Sequence, residues 1–208
     1  MKKLQKLASL FMAAALSLSS AAALADVIAP DDTDYDDLAG MTFNATVGEF
    51  NEIDQTFTLT VYDNDFFEDE DIEKLQKGDI MIVGGQRFIA EEKSVTEFNE
   101  IAVRCTNGWN IIFSQVGDEK LMAFDQEDDR RFMHVVGQLT LPAAAGIILE
   151  DASDPEGEPV IIKGLEEILK IKEQKETDSI GLDYYATRIT LNKNMEIEKI
   201  FQEFDVAQ

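Results

Sequence analysis

Apolar and polar positions alternate along most of this chain from Met41 onward. Phe57, Leu59 and Val61 alternate with Thr56, Thr58 and Thr60. Side chains point to opposite faces of a strand in turn, so this spacing predicts a strand with one apolar and one hydroxyl-bearing face. Asp63-Asn64-Asp65 ends it. Asp69, Glu70 and Asp71 then precede Ile72 and Leu75, with Lys74 and Lys77 late, the order of charge that suits a short helix dipole. Gly78 is placed to terminate that helix in a left-handed conformation. Ile80–Val83 is an uninterrupted apolar run, which predicts a strand covered on both sides. Gly84-Gly85 is a two-residue hairpin turn into Arg87-Phe88-Ile89.

Other strands follow from the same pattern. Phe43, Thr46 and Val47 belong to a first strand that pairs with 56–62 across a polar turn near 51–55. Leu121–Phe124, Phe132–Leu141 and Gly146–Leu149 are strand-like, with Pro142–Ala145 as a join. Met133, Val135, Leu139 and Leu141 are expected on one face and His134 on the other. Leu165, Ile168 and Leu169 recur at helical spacing and predict a helix from about residue 164 to 175.

Two hairpins allow a register argument. Ile101, Val103 and Cys105 precede Thr106-Asn107-Gly108; Trp109, Ile111 and Phe113 follow. A two-residue Asn-Gly loop would send the two apolar rows to opposite faces. A three-residue loop with Gly108 left-handed pairs Val103 with Ile111 and Ile101 with Phe113, so the core requires it. Trp109 and Cys105 are then expected on the core side. By the same logic Leu191 should pair with Met195 and Ile189 with Ile197, with Asn194 left-handed and a bulge near Lys199. Val47–Ile53 and Val95–Ile101 match at six of seven positions; they are either a duplicated hairpin unit or a coincidence of strand ends.

The fold class expected is mainly β: a small antiparallel barrel-like or sandwich body with one or two short helices, and α+β character in the C-terminal third. Residues 40–141 form a β-rich domain. Residues 142–208 form a strand–helix–hairpin segment, either separate or part of the same domain.

The first 25 residues change the picture of where the chain works. Lys2, Lys3 and Lys6 precede an apolar run over 7–18, and Ala23-Leu24-Ala25 supplies small residues for cleavage. This reads as a secretory signal peptide. The apolar run is shorter than the ~20 residues that a membrane span needs. Secreted or periplasmic placement follows, with no membrane insertion after cleavage. Residues 26–39 are an acidic, disordered leader on this reading. Asp32, Asp34 and Asp36 have calcium-loop spacing, but Asp37 and Phe43 occupy positions that need glycine and glutamate.

Charge excludes more than it identifies. The chain has 42 acids against 18 bases, a net charge of −24, and −27 once the three lysines of the leader are gone. That opposes nucleic acid and anionic lipid. Cys105 is the one cysteine, so there is no internal disulfide framework. His134 is the one histidine, which excludes multi-histidine metal sites. Ser94, Ser114, Ser153 and Ser179 all lack the glycine frame of a nucleophile elbow. Carboxylates are the abundant functional group. Asp63, Asp65, Glu68, Asp69 and Asp71 form the densest cluster and are the candidate metal ligands, for calcium bound weakly; Asp125, Glu127, Asp128 and Asp129 form another. The function expected is a secreted, acidic, non-enzymatic binding or structural module whose partner is a protein or a glycan, with no cofactor unless calcium. A calcium-dependent module is the alternative, and a hydrolase using paired carboxylates a further one.

Overall fold

The computed structural model describes residues 27–28, 38–117, 120–177, 182 and 186–203. The expected signal peptide at 1–25, and residues 26 and 29–37 of the expected acidic leader with its calcium-like spacing, lie outside the described residues. In chain order the elements are β1 (Val27–Ile28), β2 (Thr42–Asn51), β3 (Thr56–Asn64), β4 (Phe66–Glu68), α1 (Asp69–Lys74), β5 (Ile80–Val83), β6 (Gln86–Val95) and β7 (Ile101–Cys105). There follow β8 (Asn110–Gln115), β9 (Lys120–Asp125), β10 (Met133–Ala152), β11 (Val160–Lys163), α2 (Leu165–Thr177), β12 (Thr187–Leu191) and β13 (Ile197–Glu203). The protein is mainly β, with two short helices, as its alternation predicts. No helix among the described residues is long and apolar enough to cross a membrane.

Five strands make a barrel. Neighbours run β12-β2-β3-β10, all antiparallel, so three strands are followed by a fourth that returns beside the first, a Greek key. β13 then pairs antiparallel with β12 and parallel with β10, which closes the ring. β11 hangs on β10. Phe57, Leu59 and Val61 of β3 are buried against Phe43, Ala45 and Val47 of β2 and against Ile189 and Leu191 of β12. Phe50 and Phe57 pack with ring centroids 4.7 Å apart. Ile168 of α2 is fully buried in the same core.

β10 departs from expectation in two ways. It runs unbroken through Pro142–Ala145. That stretch is a change of partner: β10 lies against β3 up to Pro142 and against β13 from Ala143, whose N–H donates to the Gln55 carbonyl at 3.0 Å. Residue 142, the division point in one of the two expected arrangements, lies inside this strand. Second, Val135 faces Tyr62 and Gly137 faces Val61, so Val136 is an extra residue. This bulge reverses the faces on either side of it. Leu139 and Leu141 point to the core, Val135 is 58% exposed, and His134 sits opposite buried Asp63.

Residues 65–132, between β3 and β10, fold as a second body. β5 to β9 form an antiparallel meander; β4 adds to the β9 edge, and β1 lies parallel on the β5 edge. Val27 and Ile28 of the expected disordered leader are thus paired. The concave side buries Phe67, Phe88, Val103, Ile111 and Phe113 together with Ile72 from α1 and Leu75 just after it. Within β5, Met81 and Val83 are buried while Ile80 and Ile82 are half-buried, so the run is covered more fully on one side. Gly84 and Gly85 both have positive φ, as their turn requires. Gly78 has φ +98, but the helix already ends at Lys74, and the Gly78 N–H donates to Ala90 instead.

The β7–β8 hairpin has the three-residue loop that its apolar rows demand. Val103 pairs with Ile111 and Ile101 with Phe113, and Gly108 has φ +92. Trp109 is 41% exposed, so it is a rim residue and not a core anchor; its ring packs on Phe88 and Phe132, each at 5.9 Å. The β12–β13 hairpin differs from expectation: its left-handed residue moves by one position, and the partner of Leu191 moves by two. The Asn192 side chain accepts from the N–H groups of Asn194 and Glu196, which makes Met195 the left-handed residue and pairs Leu191 with Ile197. The bulge falls at Glu198, next to its expected place. Val47 is core and Val95 is 66% exposed, so the two echoing segments differ in environment.

Cys105 is buried, and burial pushes its thiol up from 9.0 to about 11. Between those values the unfolded chain has lost the proton that the folded chain keeps, so stability is lost as pH rises through that window. Two pKa units correspond to about 3 kcal/mol. Urea melts at about pH 8 and about pH 11 should show this loss for the natural chain and a smaller one for Cys105→Ala; equal losses would contradict it.

Candidate functional site

The acidic cluster that dominates the sequence is divided by the fold. Asp63 lies at the core-facing end of β3, with Oδ1 accepting from the Asn64 N–H and Oδ2 buried without a hydrogen-bond partner. Asp65 is fully buried between β3 and β4. Its Oδ1 is 2.7 Å from His134 Nδ1, and its Oδ2 accepts from the Gly84 N–H. Its backbone N–H donates to Phe132 O and its carbonyl accepts from Ala123 N–H. One residue thus joins the barrel strand β10, the β5–β6 turn and the point where the second body begins and ends.

The other three lie apart from this joint. Glu68 ends β4, 3.7 Å from Lys120. Asp69 and Asp71 occupy the exposed first turn of α1. Between them Glu70 is hydrogen-bonded to Lys74, which lowers its carboxyl pKa. Among the described residues no group of three or more His, Cys, Asp or Glu is arranged to hold one metal ion. The acids at 125–129 serve their own turn: Asp125 Oδ1 accepts from Glu127 N–H and Asp128 Oδ1 from Arg130 N–H. Short acidic side chains cap turns in this way.

The barrel exterior is more informative than the acids. On β12, β13 and the second half of β10 it is ion-paired: Arg188 meets Glu203 at 3.3 Å and Lys199 meets Glu150 at 2.6 Å. Both cations lie over the Phe201 ring. On β2, β3 and the first half of β10 it carries no charged side chain outside the β2 bulge, where Glu49 is exposed. Thr46, Thr60 and Gln138 form one row across the three strands; Asn44, Tyr62 and Val135 form the next. Thr58 faces Thr140, and Thr42 faces Thr190 with hydroxyls 2.9 Å apart. Gly48 keeps this sheet closed up, since a Cβ there would stand 2.9 Å from the Thr58 carbonyl oxygen.

Neighbours within each row stand on adjacent strands about 5 Å apart, and each row carries hydroxyl or amide groups that both donate and accept. None of the side chains in the rows is charged. Alternation marks Thr56, Thr58 and Thr60 as a wet face, but the neutral surface exists only once residues near 44, 60 and 138 are brought side by side. This surface has to be read from its own chemistry: no family model, no curated protein and no solved structure matches the chain.

Proposed function

We propose that the protein is a non-enzymatic binding module that holds a neutral oligosaccharide across the β2–β3–β10 face. The observation that carries this reading is the pair of uncharged rows, Thr46–Thr60–Gln138 and Asn44–Tyr62–Val135, on an otherwise strongly acidic chain. Five-stranded Greek-key barrels of the oligonucleotide/oligosaccharide-binding type bind ligands across their second and third strands, here β3 and β10. The analogy is one of fold. Net charge opposes the nucleic-acid half of it. Sugars need paired donors and acceptors and an apolar ring to lie against, and Tyr62 supplies the ring beside Thr46 and Thr60. The leader at 1–25 supports a place outside the cytoplasm, where glycans are met.

Calorimetric titration against a panel of neutral and anionic oligosaccharides tests the reading. A neutral member is expected to bind, and Tyr62→Ala or Thr60→Glu to weaken it about tenfold or more. Failure of every neutral member to bind, or binding that survives both substitutions, would end it.

A further inference from the structure

The second body has an outer face of its own. Ile112 alternates with Ile111 and Phe113, whose side chains fill the concave core, so Ile112 points the other way. It lies beside Phe124 on the neighbouring strand, and the two floor an open groove of about 490 Å³. The β6–β7 loop forms one wall. There Asn99 is left-handed (φ +64), and Thr96 Oγ1 accepts from the N–H groups of Phe98 and Glu100. Phe98 stands at the lip, 77% exposed, beside Val95 at 66%. The β9–β10 turn, with Asp129, forms the opposite wall.

The rim carries one sign of charge. Glu97, Glu100 and Asp129 line the groove, and no lysine or arginine is among its lining residues. Glu100 is fixed in place, since Ser114 Oγ donates to one of its carboxylate oxygens and Thr96 Oγ1 lies 3.4 Å from the other. We infer that this groove docks a lysine- or arginine-rich segment of a protein partner, with an apolar side chain seated on Ile112 and Phe124 under Phe98. The apolar floor supplies the contact that water disfavours, and the acidic rim selects its sign and speeds encounter. A second copy of this chain is a poor occupant, because both would carry the same large negative charge. The groove lies on a different sheet from the neutral barrel face, so this inference stands or falls independently of glycan binding.

Fluorescence anisotropy with short labelled peptides on the full chain decides it. One peptide alternates lysine with leucine, a second lysine with serine, and a third glutamate with leucine. The lysine–leucine peptide should bind about tenfold or more tightly than the lysine–serine peptide, and the glutamate–leucine peptide should not bind. Phe98→Ser should remove most of that advantage; Glu97→Gln with Asp129→Asn should weaken binding and flatten its dependence on salt. All three positions are exposed, and Trp109 emission checks that each variant is folded. Equal binding of the two lysine peptides would reduce the effect to diffuse attraction by the whole chain and overturn the inference. Unchanged affinity in Phe98→Ser would overturn it as well.

Discussion

Replacing Asp65 by alanine is expected to destabilise the protein by about 2–4 kcal/mol, because two hydrogen-bonding groups lose their acceptor at about 1–3 kcal/mol each. In a chain of this size that lowers the melting temperature by roughly 10 °C. The carboxylate is fully buried and serves two groups at once, the His134 imidazole and the Gly84 N–H. Without it the Gly84 N–H loses its acceptor and the His134 ring loses this contact, while the backbone bonds to Phe132 and Ala123 still hold the segments together. Asp65→Asn keeps an acceptor and should cost less. A double-mutant cycle with His134→Ala separates the pair from the rest, and coupling between the two sites is expected. Thermal melts that place Asp65→Ala within about 1 kcal/mol of the natural chain would show that this joint carries little weight.

Phe57→Ala and Phe113→Ala are each expected to cost about 3–5 kcal/mol, but in different places. Phe57 is fully buried in the barrel, tilted against Phe50; Phe113 is fully buried in the second body, edge-on to Phe67 at 5.3 Å. The two buried clusters share no residue. Trp109 is the one tryptophan and lies in the second body, so its emission reports that body alone. Far-ultraviolet circular dichroism reports both. In urea, Phe113→Ala should shift the Trp109 transition to lower denaturant ahead of the dichroism. Phe57→Ala should shift the dichroism while Trp109 lags. Superimposable curves in both variants would mean that the Asp65 joint fuses the bodies into one cooperative unit, against this expectation.

Local geometry was legible in the sequence wherever two apolar rows had to meet across a short loop. The β7–β8 register follows from Ile101, Val103, Ile111 and Phe113 because only one loop length puts them on one face. The β12–β13 register does not, because the Asn192 side chain, and not the apolar row, fixes where that loop closes. The Val136 bulge leaves no mark in composition, and missing it turned His134 to the wrong face. Alternation also tells which face is buried without telling which strand lies alongside. The pairing of Thr42–Asn44 with Arg188–Thr190 spans most of the chain and could not be read. The same limit hid the joint: Asp65 was visible as one acid among several, but its partner stands far along the chain at His134.

That long-range pairing orders events in time. The β5–β9 meander of the second body is built from strands adjacent in sequence, and such contacts form quickly. The barrel cannot close until its last hairpin exists, because β12 must reach back to β2 and β13 must slot between β12 and β10. Without that hairpin the β2–β3–β10 ribbon has two open edges, the kind of surface that captures stray strands. The β12–β13 hairpin is thus the element on which safe completion of the barrel depends.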